Sequence, residues 1–153
     1  MANTYHQIYI QAIFAVKYRK ALIEKTWKSD LFAVIGNLIN ETGCKNIIVN
    51  GVKDHVHCFF ALKPSVSISD VMKSTKAKSS KWINENRLLQ NRFEWQDGFG
   101  TFSYSRSQLD QVCKYIRFQE EHHKKQTFRD EYIAFLQRFG VEYDEQYIFK
   151  ELI

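Results

Sequence analysis

An α+β fold built on an antiparallel sheet is what this sequence predicts, and three observations predict it. The hydrophobic period switches from about 2 residues to about 3.6 and back again along the first hundred positions. The segments so defined run strand, helix, strand, strand, helix, strand. One proline and six glycines in 153 residues leave no composition for long linkers or disorder.

Residues 5–18 form the first strand. His6, Ile8, Ile10, Ala12, Phe14, Val16 and Tyr18 make one row, while Tyr5, Gln7, Tyr9, Gln11 and Lys17 fall mostly on the other, wettable face. Over 26–42 the period becomes helical, with Trp27, Leu31, Val34, Ile35, Leu38 and Ile39 in register and Gly43 placed as the stop. Residues 46–50 read as a second strand, and Asn50-Gly51 opens a tight connection. The third strand is Asp54–Leu62, rich in β-branched and aromatic residues and ended by Pro64. Ser67–Asn86 is a helix with Ile68, Val71, Met72, Thr75, Ser79, Trp82 and Ile83 inward and Lys73, Lys76 and Ser80 on the far side. Trp95 and Gly98–Ser105 supply the fourth strand, whose glycines are placed to act as a hinge.

That order is the ferredoxin-like, or RNA-recognition-type, plan with two helices on one face of the sheet. The plan predicts that the helices cover the face of Val56 and Phe60 and that the opposite face stays open for a substrate. Beyond it, Ser107-Gln108-Leu109-Asp110 reads as a capping-box variant opening a further helix with Leu109, Val112, Cys113 and Ile116 inward. Tyr115 and Gln119 lie four apart on one flank of that helix. Thr127-Phe128-Arg129-Asp130 caps a last helix, with Phe135, Leu136 and Phe139 at helical spacing and Gly140 as its end. A tail from Val141 to Ile153 is expected to pack back on the domain or on a partner subunit.

Composition narrows the function classes. Hydrophobic residues at 44% and charged ones at 25% describe an ordinary soluble domain. A net charge of +5 suits a polyanionic partner. Three cysteines without a Cys-x-x-Cys spacing disfavour a disulfide framework and a zinc knuckle. No signal peptide or membrane-spanning run is visible, so a reducing cytoplasm is the expected compartment. No Walker-type glycine loop appears, which argues against a nucleotide cofactor.

The chemistry begins in the third strand. Alternation sends Val56, Cys58, Phe60 and Leu62 to the core and places His55 and His57 side by side on the other face, about 7 Å apart along the chain. Imidazole is the commonest protein metal ligand, and two from one strand can close on the same ion. Cys58 faces away from them, and adjacent His122 and His123 diverge by about 100° around a helix, so a zinc site made from these is disfavoured.

His55-Val56-His57, followed by a helix reading Tyr115-Ile116-Arg117-Phe118-Gln119-Glu120-Glu121-His122-His123, resembles the HUH-type single-tyrosine transposases of bacterial insertion sequences. The similarity extends through Trp95–Gly100 and Phe128–Tyr147. Residues 1–153 then read as one domain: a core of about 5–105, a tyrosine helix of about 107–123 on the active-site side, and a C-terminal helix and tail over 127–153. The resemblance implies metal-dependent cutting and rejoining of single-stranded DNA at element ends marked by hairpins. It assigns His55 and His57 to the metal, Tyr115 as nucleophile and Gln119 as third ligand, in a homodimer whose tyrosine helix can serve either subunit's site. REP-associated tyrosine transposases are relatives with the same site, and a non-catalytic RNA-recognition-like module is the alternative outside the enzymes.

Those residue types suit that reaction. A phenol is only about a thousandth ionised at neutral pH, so it needs activation by its setting. A divalent ion on the scissile phosphate neutralises developing charge. Nitrogen donors favour Mn²⁺ thermodynamically, and cellular abundance favours Mg²⁺. Lys17, Arg19, Lys73, Lys76 and Arg117 are candidates for DNA contact, and exposed tyrosines such as Tyr5 and Tyr9 suit stacking on bases.

Overall fold

A computed structural model describes residues 4–144. In chain order it comprises β1 (Tyr9–Ala15), α1 (Lys28–Glu41), β2 (Lys45–Gly51), β3 (His55–Ala61), α2 (Ile68–Glu85), β4 (Gly100–Tyr104), α3 (Leu109–Arg117), α4 (Gln119–His123) and α5 (Phe128–Arg138). The four strands form one antiparallel sheet in the order β2-β3-β1-β4, the ferredoxin-like arrangement. The two central strands carry the strictest alternation. β1 sends Ile10, Ala12 and Phe14 to one face and Gln11, Ile13 and Ala15 to the other, in register with β3 so that Ile13 faces His57 and Ala15 faces His55.

On the first face, α1 and α2 bury Leu31, Ile35 and Ile39 and Val71, Met72 and Ile83 against Val56, Cys58 and Phe60. Ser67 caps α2 by accepting a hydrogen bond from Asp70 N, and Gly43, at φ 93°, follows α1 where the chain must turn left-handed.

The second face is not open. Ile13, Ala15, Phe59, Phe102 and Tyr104 pack there against Val112 and Ile116 of α3 and Phe135 and Leu136 of α5. The physical reason is that this face is itself largely apolar. The α3 and α5 stripes have nowhere else to be buried. Gln11, expected on a wettable surface, is 1% exposed in consequence.

Three local expectations also change. The first strand ends at Ala15, because the chain enters a tight turn at Lys17–Arg19 where Tyr18 and Arg19 take φ of 59° and 52°. The capping box is Ser105 with Gln108, two residues before the one expected at Ser107. The tyrosine helix is broken at Phe118 (φ −101°, ψ 31°), so Tyr115 and Gln119 belong to successive helices, α3 and α4. Asn50 Nδ2 on β2 donates to Ile116 O (2.9 Å) and Arg117 O (3.1 Å), satisfying the carbonyls that the break leaves open. The expected capping of the last helix stands: Thr127 Oγ1 accepts from Asp130 N, and Gly140 follows α5 at φ 66°. Of the expected tail, residues 145–153 lie outside the described residues.

Candidate metal and nucleophile site

β3 holds His55 and His57 on the covered face, both with no exposure. α4 contributes Gln119 and His123, α3 contributes Tyr115, and α5 contributes Glu131. All of these meet at the Glu131 carboxylate. Its Oε1 lies 3.1 Å from His55 Nε2, 3.0 Å from His57 Nε2 and 3.0 Å from His123 Nε2. Its Oε2 accepts from the Tyr115 hydroxyl and, at 3.2 Å, from Gln119 Nε2. One donor atom from each of His55, His57, His123 and Glu131 falls within 4.8 Å of every other.

The backs of the two strand histidines are also held. His55 Nδ1–H donates to Asp54 Oδ1 at 2.7 Å, a carboxylate–histidine pair that directs the Nε2 lone pair toward the centre. His57 Nδ1 lies 2.9 Å from the Gln11 amide, and Tyr104 Oη donates to Gln11 Oε1 at 2.7 Å. Turning that amide over would offer His57 Nδ1 an acceptor instead of a donor, so Gln11 can serve either tautomer. Buried Gln11 is thereby explained.

The electrostatics follow from burial and from the carboxylate. Burial opposes a charge on His55, but its hydrogen bonds to Asp54 and Glu131 outweigh that and raise its pKa. For His57 burial wins and the pKa falls. Glu131 is buried too, yet the three surrounding imidazoles hold its carboxyl far below the usual range. Tyr115 is pushed well above the ordinary phenol value, by burial first and by the Glu131 charge second. The phenol is thus held protonated in this arrangement.

The donor set fits a divalent cation. Imidazole and carboxylate are the ligands that transition metals share, and Gln119 Oε1 is a buried oxygen with no hydrogen-bond partner. A buried amide oxygen left without a donor is costly unless something electropositive satisfies it.

The structure therefore brings His55, His57, Tyr115 and Gln119 together. It also brings in His123, which the helical-divergence argument had set aside. Only one of the adjacent histidines converges: His122 instead stacks on the Tyr115 ring, with centroids 4.5 Å apart. Cys58 lies on the far face as expected, fully buried, its thiol pKa raised by desolvation. Glu131 went unread in the sequence because it looks like the first-turn acid of a capped helix. Its signal was position: it lies three residues after Phe128 and four before Phe135, inside the apolar stripe of α5.

The basic candidates do not form part of this centre. Lys17 is paired with Glu94 at 2.8 Å, and Lys76 Nζ donates to Gln96 O and Gly98 O at 2.7 Å each. Lys76 thus secures the loop before β4 and is not on a free basic face. Lys73 and Arg117 are exposed, and Arg19 sits in the turn after β1. A groove of about 810 Å³ opens beside the site instead, lined by Asp54 and His123 together with Lys25, Lys53, Lys124 and Lys125.

With this geometry in hand, comparison decides the family. The profile of the family described as transposase IS200 like matches residues 4–119. The chain belongs to that family. Two solved structures share its fold. One is a candidate transposase from Deinococcus radiodurans, 18% identical, with a TM-score of 0.63, covering 78% of this chain and 95% of its own. The other is a REP-associated tyrosine transposase bound to a REP hairpin, 14% identical, with a TM-score of 0.59, covering 80% of this chain and 73% of its own. No curated protein matches the chain. Among the described residues no helix of this IS200-like transposase is long and apolar enough to cross a membrane.

Proposed function

We propose that this IS200-like transposase cuts and rejoins single-stranded DNA at insertion-sequence ends, with Tyr115 as nucleophile and a divalent ion held by His55, His57 and Gln119. The observation that carries the reading is the meeting of the Tyr115 hydroxyl, the Gln119 amide and two strand-borne imidazoles at one buried point.

Tyr115 Oη attacks the phosphorus, forming a 5′-phosphotyrosine bond as the bond to the 3′-oxygen breaks. The phenol donates to Glu131 Oε2, a contact that orients its hydroxyl. A divalent cation, when bound, supplies charge neutralisation at the phosphate and at the departing oxygen. Mn²⁺ suits the imidazole donors, and Mg²⁺ remains the abundant alternative. The phosphotyrosine link is itself a phosphodiester, so a 3′-hydroxyl can reverse the step without a nucleotide cofactor. Asp54 fixes the His55 ring throughout, and Gln11 with Tyr104 fixes that of His57.

For the strand itself, the lysine-lined groove beside His123 is the natural channel. Its Lys25, Lys53, Lys124 and Lys125 suit a phosphate backbone. The hairpin on the REP-associated neighbour supports a hairpin-bearing substrate. That neighbour also favours a second reading, action on dispersed repeats by the same site, which the DNA flanking the gene would decide. A homodimer belongs to the proposal through the family resemblance. A non-catalytic module of the RNA-recognition type is disfavoured, because the sheet face such modules expose is here buried under α3 and α5.

The test is incubation with each strand of the DNA flanking its gene, with Mn²⁺. A covalent protein–DNA adduct, absent from Tyr115→Phe, is expected. An adduct that persists in Tyr115→Phe removes the nucleophile assignment.

A further inference from the structure

We infer that His123 and Glu131 are themselves ligands of the ion, completing with His55 and His57 a four-donor protein site that forms before any DNA arrives. The inference rests on the metal-dependent reading above and changes its ligand set.

His123 and Glu131 lie beyond residue 119, where the family match ends, so the match does not supply them. The geometry does. Three imidazole Nε2 atoms surround one carboxylate oxygen at 3.0–3.1 Å, and all the donor atoms gather within 4.8 Å. Three imidazoles converging on one point is a costly arrangement for protonated nitrogens, since each extra imidazolium would repel the others. With lone pairs turned inward it is the ordinary geometry of a transition-metal centre. His55 has its Nδ1 proton committed to Asp54, which leaves Nε2 as the coordinating atom. Glu131 is buried in the apolar stripe of α5, where a carboxylate needs a compensating positive charge.

Three nitrogens and one carboxylate prefer Mn²⁺ or Zn²⁺ to Mg²⁺, which holds mostly oxygen ligands and water. Gln119 then plays a part distinct from the four. Its Oε1, buried and without a hydrogen-bond partner, is the donor left over for a loaded site, an addition to the four and not one of them. The ion joins β3 to α4 and α5, so binding also fixes the C-terminal helix over the sheet.

The experiment titrates the full chain with Mn²⁺ alone, without DNA, by calorimetry. One ion per chain is expected for the wild type. Glu131→Gln and His123→Ala are each expected to weaken binding by about tenfold or more, with His122→Ala unchanged. Circular dichroism confirms that each variant is folded. Should a variant not fold, pulsed electron paramagnetic resonance of Mn²⁺ on the wild type counts coordinated imidazole nitrogens, and three are expected. Glu131→Gln binding as tightly as wild type, or more tightly, overturns the inference and makes the carboxylate a mere occupant of the cavity. Two coordinated nitrogens, or no Mn²⁺ on the wild type, also overturns it. Metal bound as described without a DNA adduct defeats the proposed reaction and leaves the ligand set standing.

Discussion

Glu131 presents one oxygen to three imidazoles and the other to the Tyr115 phenol, so a single side chain touches both the proposed metal donors and the proposed nucleophile. Around it the outer contacts carry their own consequence. Tyr104 holds Gln11, which holds His57. Tyr104→Phe removes only a hydroxyl, whose own pKa burial raises to about 12. It is expected to lower Mn²⁺ affinity roughly tenfold with little change in fold, measured by calorimetry alongside circular dichroism. Tyr115→Phe is expected to cut adduct formation by roughly a thousandfold or more while leaving Mn²⁺ binding intact, as followed by gel analysis of labelled DNA. His55 and His57 were legible in the sequence because a strand period of about 2 fixes which face each residue takes. His123 and Glu131 were not. Their convergence depends on a helix break and on which side α5 docks, and neither follows from local periodicity.

Among the elements, the strands and the two helices of the first face follow their hydrophobic patterns closely, and Ser67, Thr127, Gly43 and Gly140 mark ends as expected. The break at Phe118 was invisible, since no proline or glycine marks it. It is stabilised at a distance by Asn50, sixty-six positions away from Ile116. α5 owes its seat to aromatic contacts: Phe135 lies 5.3 Å from Phe102 and 5.7 Å from Tyr115, centroid to centroid. Phe135→Ala is expected to destabilise the chain by about 3–5 kcal/mol, read from urea unfolding, and to impair the site with it. Gly100 at the start of β4 matters to the same helix. A Cβ there would come within 2.6 Å of the Tyr132 ring, so the glycine permits close approach. Gly100→Val is expected to cost about 1–3 kcal/mol in the same measurement.

At the scale of the whole molecule, the charge of +5 was legible, but its useful location was not. Two of the lysines singled out from the sequence are occupied within the chain, and the groove that reaches the site gathers its lysines from three separate segments. Replacing Lys124 and Lys125 together by Ala is expected to flatten the slope of log affinity for single-stranded DNA against log salt by about 1.4, measured by fluorescence anisotropy. The ferredoxin-like order was readable; the burial of both faces was not, because it required knowing where α3 and α5 would go. That double burial has a thermodynamic corollary. All three tryptophans, Trp27, Trp82 and Trp95, belong to the layer beneath α1 and α2, on the side remote from the histidines. Since both hydrophobic layers share the same central strands, their melting is coupled. At the inferred site, manganese at a hundredfold excess over its dissociation constant would contribute about 2.7 kcal/mol to the native state. Indole emission on the distant side should therefore report that gain as a higher unfolding midpoint.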